Sequence, residues 1–150
     1  MSTQDVGIGE KAVSCFEEGN NWAESVFRSL SEMVEIAPEL VPSIATGFGG
    51  GLGRNGFVCG AVAAGTMIIS IKGTGKGKKQ VYPVVDRFVN DFKSRFGGVN
   101  CRELIGVDLK TEEGMAYLKE EGKKKCSEFV CYAADKTHEI VSSIDVFEQS

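Results

Sequence analysis

Across residues 81–96 the apolar side chains Val81, Val85, Phe88, Phe92 and Phe96 recur at steps of three and four, and nowhere does a stretch of useful length alternate apolar with polar residues. Steps of three and four place an apolar stripe on one face of an α-helix, whereas a half-buried strand needs a period of two. A chain with such stripes and no strand pattern has to bury helix against helix. A second stripe is Trp22, Val26, Leu30 and Met33, ended or broken by Pro38. Pro38 and Pro42 bracket a short helical turn with Glu39 in its first turn. Gly97-Gly98 stops the 81–96 helix. Thr111 is a good N-cap, with Glu112 and Glu113 in the first turn behind it. The last helix is expected to start near Cys126 and to carry Phe129, Ala133, Ile140 and Ile144 inward. No internal repeat is present. The expected fold is all-α: a small helical bundle with a glycine-rich loop, forming a single domain over residues 1–150.

At 150 residues the chain can build one domain with a core of its own. Its 42% hydrophobic and 25% charged residues are ordinary for a soluble globular protein. The net charge of -4 argues against nucleic acid as a partner, because phosphate binding needs a basic surface. "MSTQDVGIGEK" has neither a basic n-region nor an apolar h-region. The longest apolar stretch, residues 57–71, is interrupted by Gly60 and Gly65 and is short for a bilayer span. A cytoplasmic protein without a membrane partner is the expectation. Small acidic helical proteins commonly dimerise, so a homodimer is expected as well.

Residues 47–65 read "GFGGGLGRNGFVCGAVAAG". Gly51, Gly53 and Gly56 match GxGxxG literally, but "PELVPSIAT" before them is no strand and no acidic residue follows at the spacing a dinucleotide site needs. The phosphate-loop pattern fails too, since no Lys-Ser or Lys-Thr follows Gly56. The bland reading is that the glycines supply positive φ angles and let the loop lie close to other backbone. Residues 57–71 then form a helix whose Gly60, Ala61, Ala64 and Gly65 allow close approach. "KGTGKGKK" reads as a solvated loop.

The five cysteines, Cys15, Cys59, Cys101, Cys126 and Cys131, are odd in number and form no CxxC. In a reducing compartment they are core fillers, metal ligands or redox groups. Cys59 falls at the first turn after the glycine loop, Cys101 follows the N-cap candidate Asn100, and Cys126 follows "KEEGKKK". Three thiols at three helix starts face free amides and the positive end of the dipole, an arrangement that lowers a thiol pKa. Lys123, Lys124, Lys125 and Arg102 would reinforce this. The alternative is three small buried side chains. Cys15 and Cys131 sit mid-helix and read as packing or surface thiols.

The segments "EEGNNWAESVF", "GFGGGLGRNGFVCGAVAAG", "FGGVNCRELIGVDL" and "CSEFVCYAAD", in that order, resemble the C_GCAxxG_C_C family of redox-active proteins, relatives of the split-Soret cytochromes. The resemblance runs from about residue 10 to residue 144. It places Cys59, Cys101 and Cys126 on three of four family cysteines. The fourth falls where this chain has Trp22. The resemblance implies redox activity through the cysteines, with an iron–sulfur cluster or other metal held by Cys59, Cys101 and Cys126. Gly49, Gly50 and Gly51 would be cofactor-binding through amides that hydrogen-bond the sulfurs. With three thiolates, a cluster would keep an open iron site or a non-cysteine ligand. Cys15, seven residues before Trp22 and read as two helical turns along one face, is too far away to replace the missing ligand.

The chain thus reads as a redox-active protein that binds a metal or iron–sulfur centre and transfers electrons to an unidentified redox partner. Two alternatives stand beside it: a metal-free thiol–disulfide protein, and a member without chemistry that serves in binding or assembly. Haem c is not expected, since there is no CxxCH and His138 lies in the polar stretch "DKTHE". The same placement argues against a Cys/His nucleophile.

Overall fold

The computed structural model describes residues 6–143 and 145–148. Helices α1 (Ile8–Glu17), α2 (Trp22–Leu30), α4 (Gly60–Lys72), α5 (Lys78–Phe96) and α8 (Lys123–Val141) form the bundle. The shorter α3 (Gly49–Leu52), α6 (Cys101–Ile105) and α7 (Glu112–Tyr117) gather at one end. No strand occurs among the described residues, only an isolated antiparallel bridge between Val58 and Asn100. No helix among them is long and apolar enough to cross a membrane.

The 81–96 stripe does what its spacing requires. Phe88 and Phe92 are buried, Val81, Val85 and Phe96 pack half-buried against the core, Val84, outside the expected stripe, is buried as well, and the helix ends at Gly97, whose φ of 88° is left-handed. The helix begins earlier than expected, at Lys78, so the last two residues of "KGTGKGKK" are helical first turn rather than loop, and its first, Lys72, ends α4. The aromatic face meets α8, where Phe92, Phe96, Phe129 and Tyr132 stack edge-on and tilted at centroid distances of 4.8–6.1 Å.

Helix α2 starts with a complete capping box. The Asn21 side chain accepts from the Glu24 N–H at 2.8 Å, and the Glu24 carboxylate accepts from the Asn21 N–H at 2.8 Å. Val26, Phe27 and Leu30 are fully enclosed. The buried hydroxyls Ser25 and Ser29 are satisfied within the helix by donating to the Asn21 and Val26 carbonyls. The stripe continues as a tight turn over Ser31–Met33 and stops well before Pro38, which opens its own short turn, Pro38–Leu40.

Helix α4 is apolar on all sides because it is surrounded: it packs against α2, α5 and α8. At Gly65 a methyl group would come within 2.5 Å of the Phe88 ring and 2.6 Å of the Thr137 hydroxyl, so only glycine permits this crossing. Helix α1 lacks a side-chain cap of its own, and α8 supplies one: Asp135 accepts from the Gly9 N–H at 2.7 Å.

Two expectations fail. First, α8 is assigned from Lys123, close to the expected position, but Cys126 is not at a free helix start. Thr111 caps α7 by accepting from Gly114 N–H, as expected, but the helical path then runs unbroken over residues 112–141 through one wide turn, Leu118–Gly122. Cys126 is therefore inside a long helix, with no free amides before it. Phe129, Ala133 and Ile140 are buried as expected; Ile144 lies outside the described residues. Second, Cys15 and Trp22 are not on one helix, because the chain turns between α1 and α2 after Glu17.

Candidate functional site

The glycine stretch has an unusual backbone. Residues 50–54 all have positive φ: Gly50 64°, Gly51 72°, Leu52 66°, Gly53 60° and Arg54 72°. Left-handed residues normally occur singly, because each side chain there costs roughly 1–2 kcal/mol. Two non-glycine residues inside such a run mark a conformation that the surrounding structure imposes. The run is closed by hydrogen bonds from Gly53 N–H to Gly47 O, Gly56 N–H to Gly50 O and Phe57 N–H to Gly51 O.

The chain leaves this turn extended and meets the approach to α6. Cys59 N–H donates to Val99 O and Cys101 N–H to Phe57 O, each at 2.7 Å, on either side of the Val58–Asn100 bridge. In that pattern Cys59 and Cys101 are diagonal neighbours on one face, with Val58 and Asn100 on the other. Gly51 lies directly behind them: a Cβ there would sit 2.6 Å from the Phe57 N and O atoms and 2.9 Å from the Cys101 Cβ. From the opposite side α8 brings Cys126 and Phe129, and α2 brings Trp22.

The result is a small cavity of about 10 Å³ with Cys59, Cys101 and Cys126 in its walls. Trp22, Gly50, Gly60, Leu104, Ile105 and Phe129 complete the lining. All three expected cysteines thus meet in one place. Of the three loop glycines, Gly50 faces the cavity and Gly51 backs Cys101. Gly49 instead packs on Asn21 outside it, where a Cβ would come within 2.5 Å of the amide nitrogen. Cys15 and Cys131 do not line the cavity; both are half-buried, and Cys131 lies near Asp135 at 3.8 Å. The hydrophobic walls Leu104 and Ile105 were not singled out from sequence, although the spacing of "CRELI" puts them one turn beyond Cys101.

The electrostatics run opposite to the expectation of activated thiols. Burial pushes Cys59 up to about 11, against the Ala61 and Val62 amides at the start of α4, which act to lower it. Cys101 is pushed up to about 12 by burial and then by the neighbouring Cys59. Cys126 also rises to about 12 through burial; the Trp22 side chain opposes this most, Cys59 and Cys101 add to it, and Lys125 opposes it weakly. Helix-start amides do favour the thiolate at Cys59, but desolvation outweighs them. Asn100 makes no side-chain cap, Arg102 is turned toward Asp108 in an ion pair at 2.6 Å, and Lys123, Lys124 and Lys125 are exposed.

Residues 21–140 match the model of the C_GCAxxG_C_C family, described as "Putative redox-active protein (C_GCAxxG_C_C)". The chain belongs to this family. No curated protein and no solved structure matches it. The matched span begins at the cap of α2 and ends in the last turns of α8, so it contains every residue of the cysteine cavity.

For a member of the C_GCAxxG_C_C family the group to test against this cavity is a metal or iron–sulfur centre. A cluster does not fit as the side chains stand. The common clusters have four ligand positions filled by thiolate or histidine; here there are three sulfurs and an indole, which is a donor only and offers no lone pair, so one iron would stay open. A space of about 10 Å³ corresponds to about one water. A single ion fits better in size and in donor type, since soft thiolates suit Cu(I) and zinc. Among the described residues no trio of His, Cys, Asp or Glu side chains is already drawn together at metal-binding geometry, so an ion would have to pull the three sulfurs inward.

Proposed function

We propose that this chain is a redox-active protein whose working groups are the sulfurs of Cys59, Cys101 and Cys126, and that they take up one thiophilic metal ion rather than a cluster. The observation that supports this is the convergence of three buried thiols, from three separate elements, on one small cavity. Burial that holds the thiols protonated when they are alone is reversed by a cation, which deprotonates a coordinating thiol outright. A bound iron or copper ion would supply one-electron chemistry. The protein's part is to supply three sulfurs, exclude water with Leu104, Ile105 and Phe129, and fix Cys59 and Cys101 through the two bridge hydrogen bonds. A redox partner would approach over the glycine turn, where Phe57 and Leu52 are exposed and the Phe57 carbonyl is bonded directly to Cys101.

The metal-free thiol–disulfide reading is less well supported. Of the two pairings open to it, Cys59–Cys101 and Cys101–Cys126, the first joins diagonal neighbours across an antiparallel pair, whose Cα atoms lie about 7–8 Å apart, while a disulfide needs less than about 7 Å. Thiols near 11 and 12 also leave little thiolate at neutral pH to begin exchange.

The test is metal analysis, with acid-labile sulfide and a visible spectrum, on protein purified without air, followed by cadmium titration of the stripped form, read as the ultraviolet thiolate charge-transfer band. One equivalent of metal without sulfide, with Cys59→Ser losing it, is expected. Metal-free protein that also gives no thiolate band with cadmium overturns the reading.

A further inference from the structure

Beyond the cavity wall lies a second space. An open hollow of about 390 Å³ is lined by Asn21, Trp22, Thr46, Gly49, Gly53 and Arg54, between the start of α2 and the outer side of the glycine turn. Trp22 is the one residue that lines both this hollow and the thiol cavity. Its ring is half-buried and leans on Phe16 at a centroid distance of 5.9 Å. On its inner side it acts on Cys126, which is only 1% exposed. The indole thus stands between the hollow and the thiol cavity, against Cys126, the least exposed of the three cysteines.

The frame around it is fixed by hydrogen bonds. Asn21 is held by the capping box and also donates to Thr46 O at 3.0 Å, and Thr46 donates to the Glu24 carboxylate at 2.9 Å. These bonds tie α2 to the segment ahead of the glycine turn and keep the rim in place. Trp22, the first residue of α2, has no helical turn before it to restrict its rotamers.

We propose that the hollow is the entry port through which small thiophilic solutes reach Cys126 and Cys59, and that the Trp22 indole is its door. The door works by bulk. An ion or small reagent passes when the ring swings outward, and larger species are excluded. The inference does not depend on what the thiols bind, so it can stand or fall separately from the metal reading.

The experiment is alkylation of the folded, metal-free protein by iodoacetamide without air. Each cysteine is followed separately by mass spectrometry of its peptide, with Cys15 and Cys131 as internal references. In Trp22→Leu, which keeps an apolar contact for Phe16 but cannot seal the opening, Cys126 and Cys59 should react at least tenfold faster while the references stay unchanged. Trp22→Phe, which keeps the bulk, should stay within about threefold of the parent. Leu40→Ala, an exposed residue that lines neither space, should leave the Cys126 rate near that of the parent. Unchanged rates in Trp22→Leu, an equal rise at all five cysteines, or an equal acceleration by Leu40→Ala would each overturn the proposal. Should Trp22→Leu fail to fold, the parent decides alone: against a series of larger haloacetamides the Cys126 rate must fall more steeply than the Cys131 rate, and parallel slopes sink the door.

Discussion

The seam between α5 and α8 and the end of the molecule around the glycine turn are built by opposite means. At the seam, Phe92, Phe96, Phe129 and Tyr132 fill space, and backbone geometry is ordinary helix. At the turn, side chains are withheld: five successive left-handed residues, three of them glycine, let backbone press against Phe57 and Cys101. The seam gives stability through volume. The turn gives position, holding two thiols on one face of a two-residue bridge while a third comes from a distant helix. The first kind of region tolerates a conservative change of shape; the second has no shape to conserve.

That contrast can be broken or sharpened by measurement. Phe92→Ala empties the centre of the aromatic seam and should cost about 3–5 kcal/mol in urea unfolding, while cadmium binding at the remaining folded fraction is retained. Gly51→Ala should cost about 2–3 kcal/mol, part from the left-handed backbone and part from contact with Phe57. Unlike Phe92→Ala, it should abolish the thiolate–cadmium band, because Cys101 is displaced. If Gly51→Ala keeps the band, the turn is not what positions the thiols.

A pH series sharpens the comparison further. A thiol whose folded pKa is raised binds its proton more firmly folded than unfolded, so its contribution is complete below its ordinary value of about 9 and is lost as pH climbs toward 11–12. For the metal-free protein, the urea midpoint should be flat from pH 7 to 8.5 and then fall. Each buried thiol should take away about 1 kcal/mol between pH 9 and 10. The triple serine variant should lose that dependence, whereas Phe92→Ala should keep it. The smallest effect is expected at the rim: Asn21→Ala removes the cap of α2 and should cost about 1 kcal/mol, with no change in the alkaline slope.

The scaffold was legible in the sequence because its information is local. The spacing of Phe88, Phe92 and Phe96 fixes a helix face, and Thr111 names a cap, with no knowledge of the rest of the chain. Cys126 was misread as a free helix start because "KEEGKKK" carries no apolar period, and charge without period reads as a break. In the fold, the run stays helical through a wide turn whose buried groups are only Leu118 and Gly122. The cysteine names were readable, and so was the glycine loop beside Cys59. Their chemistry was not. Whether a thiol is lowered by helix amides or raised by burial depends on what covers it. The cover here comes from Trp22, Phe129 and the hydrogen bonds joining Phe57 and Val99 to Cys101 and Cys59, contacts far apart along the chain.

The indole at the mouth of the cavity is also the chain's one tryptophan. All of its tryptophan emission, which can be excited apart from that of its three tyrosines, therefore arises beside the thiol cavity, with no second indole to dilute it. Loading with a quenching ion, oxidation of a thiol or a swing of the ring into solvent would each change the brightness or colour of the whole molecule. An unlabelled sample in a fluorimeter reads the state of this one site.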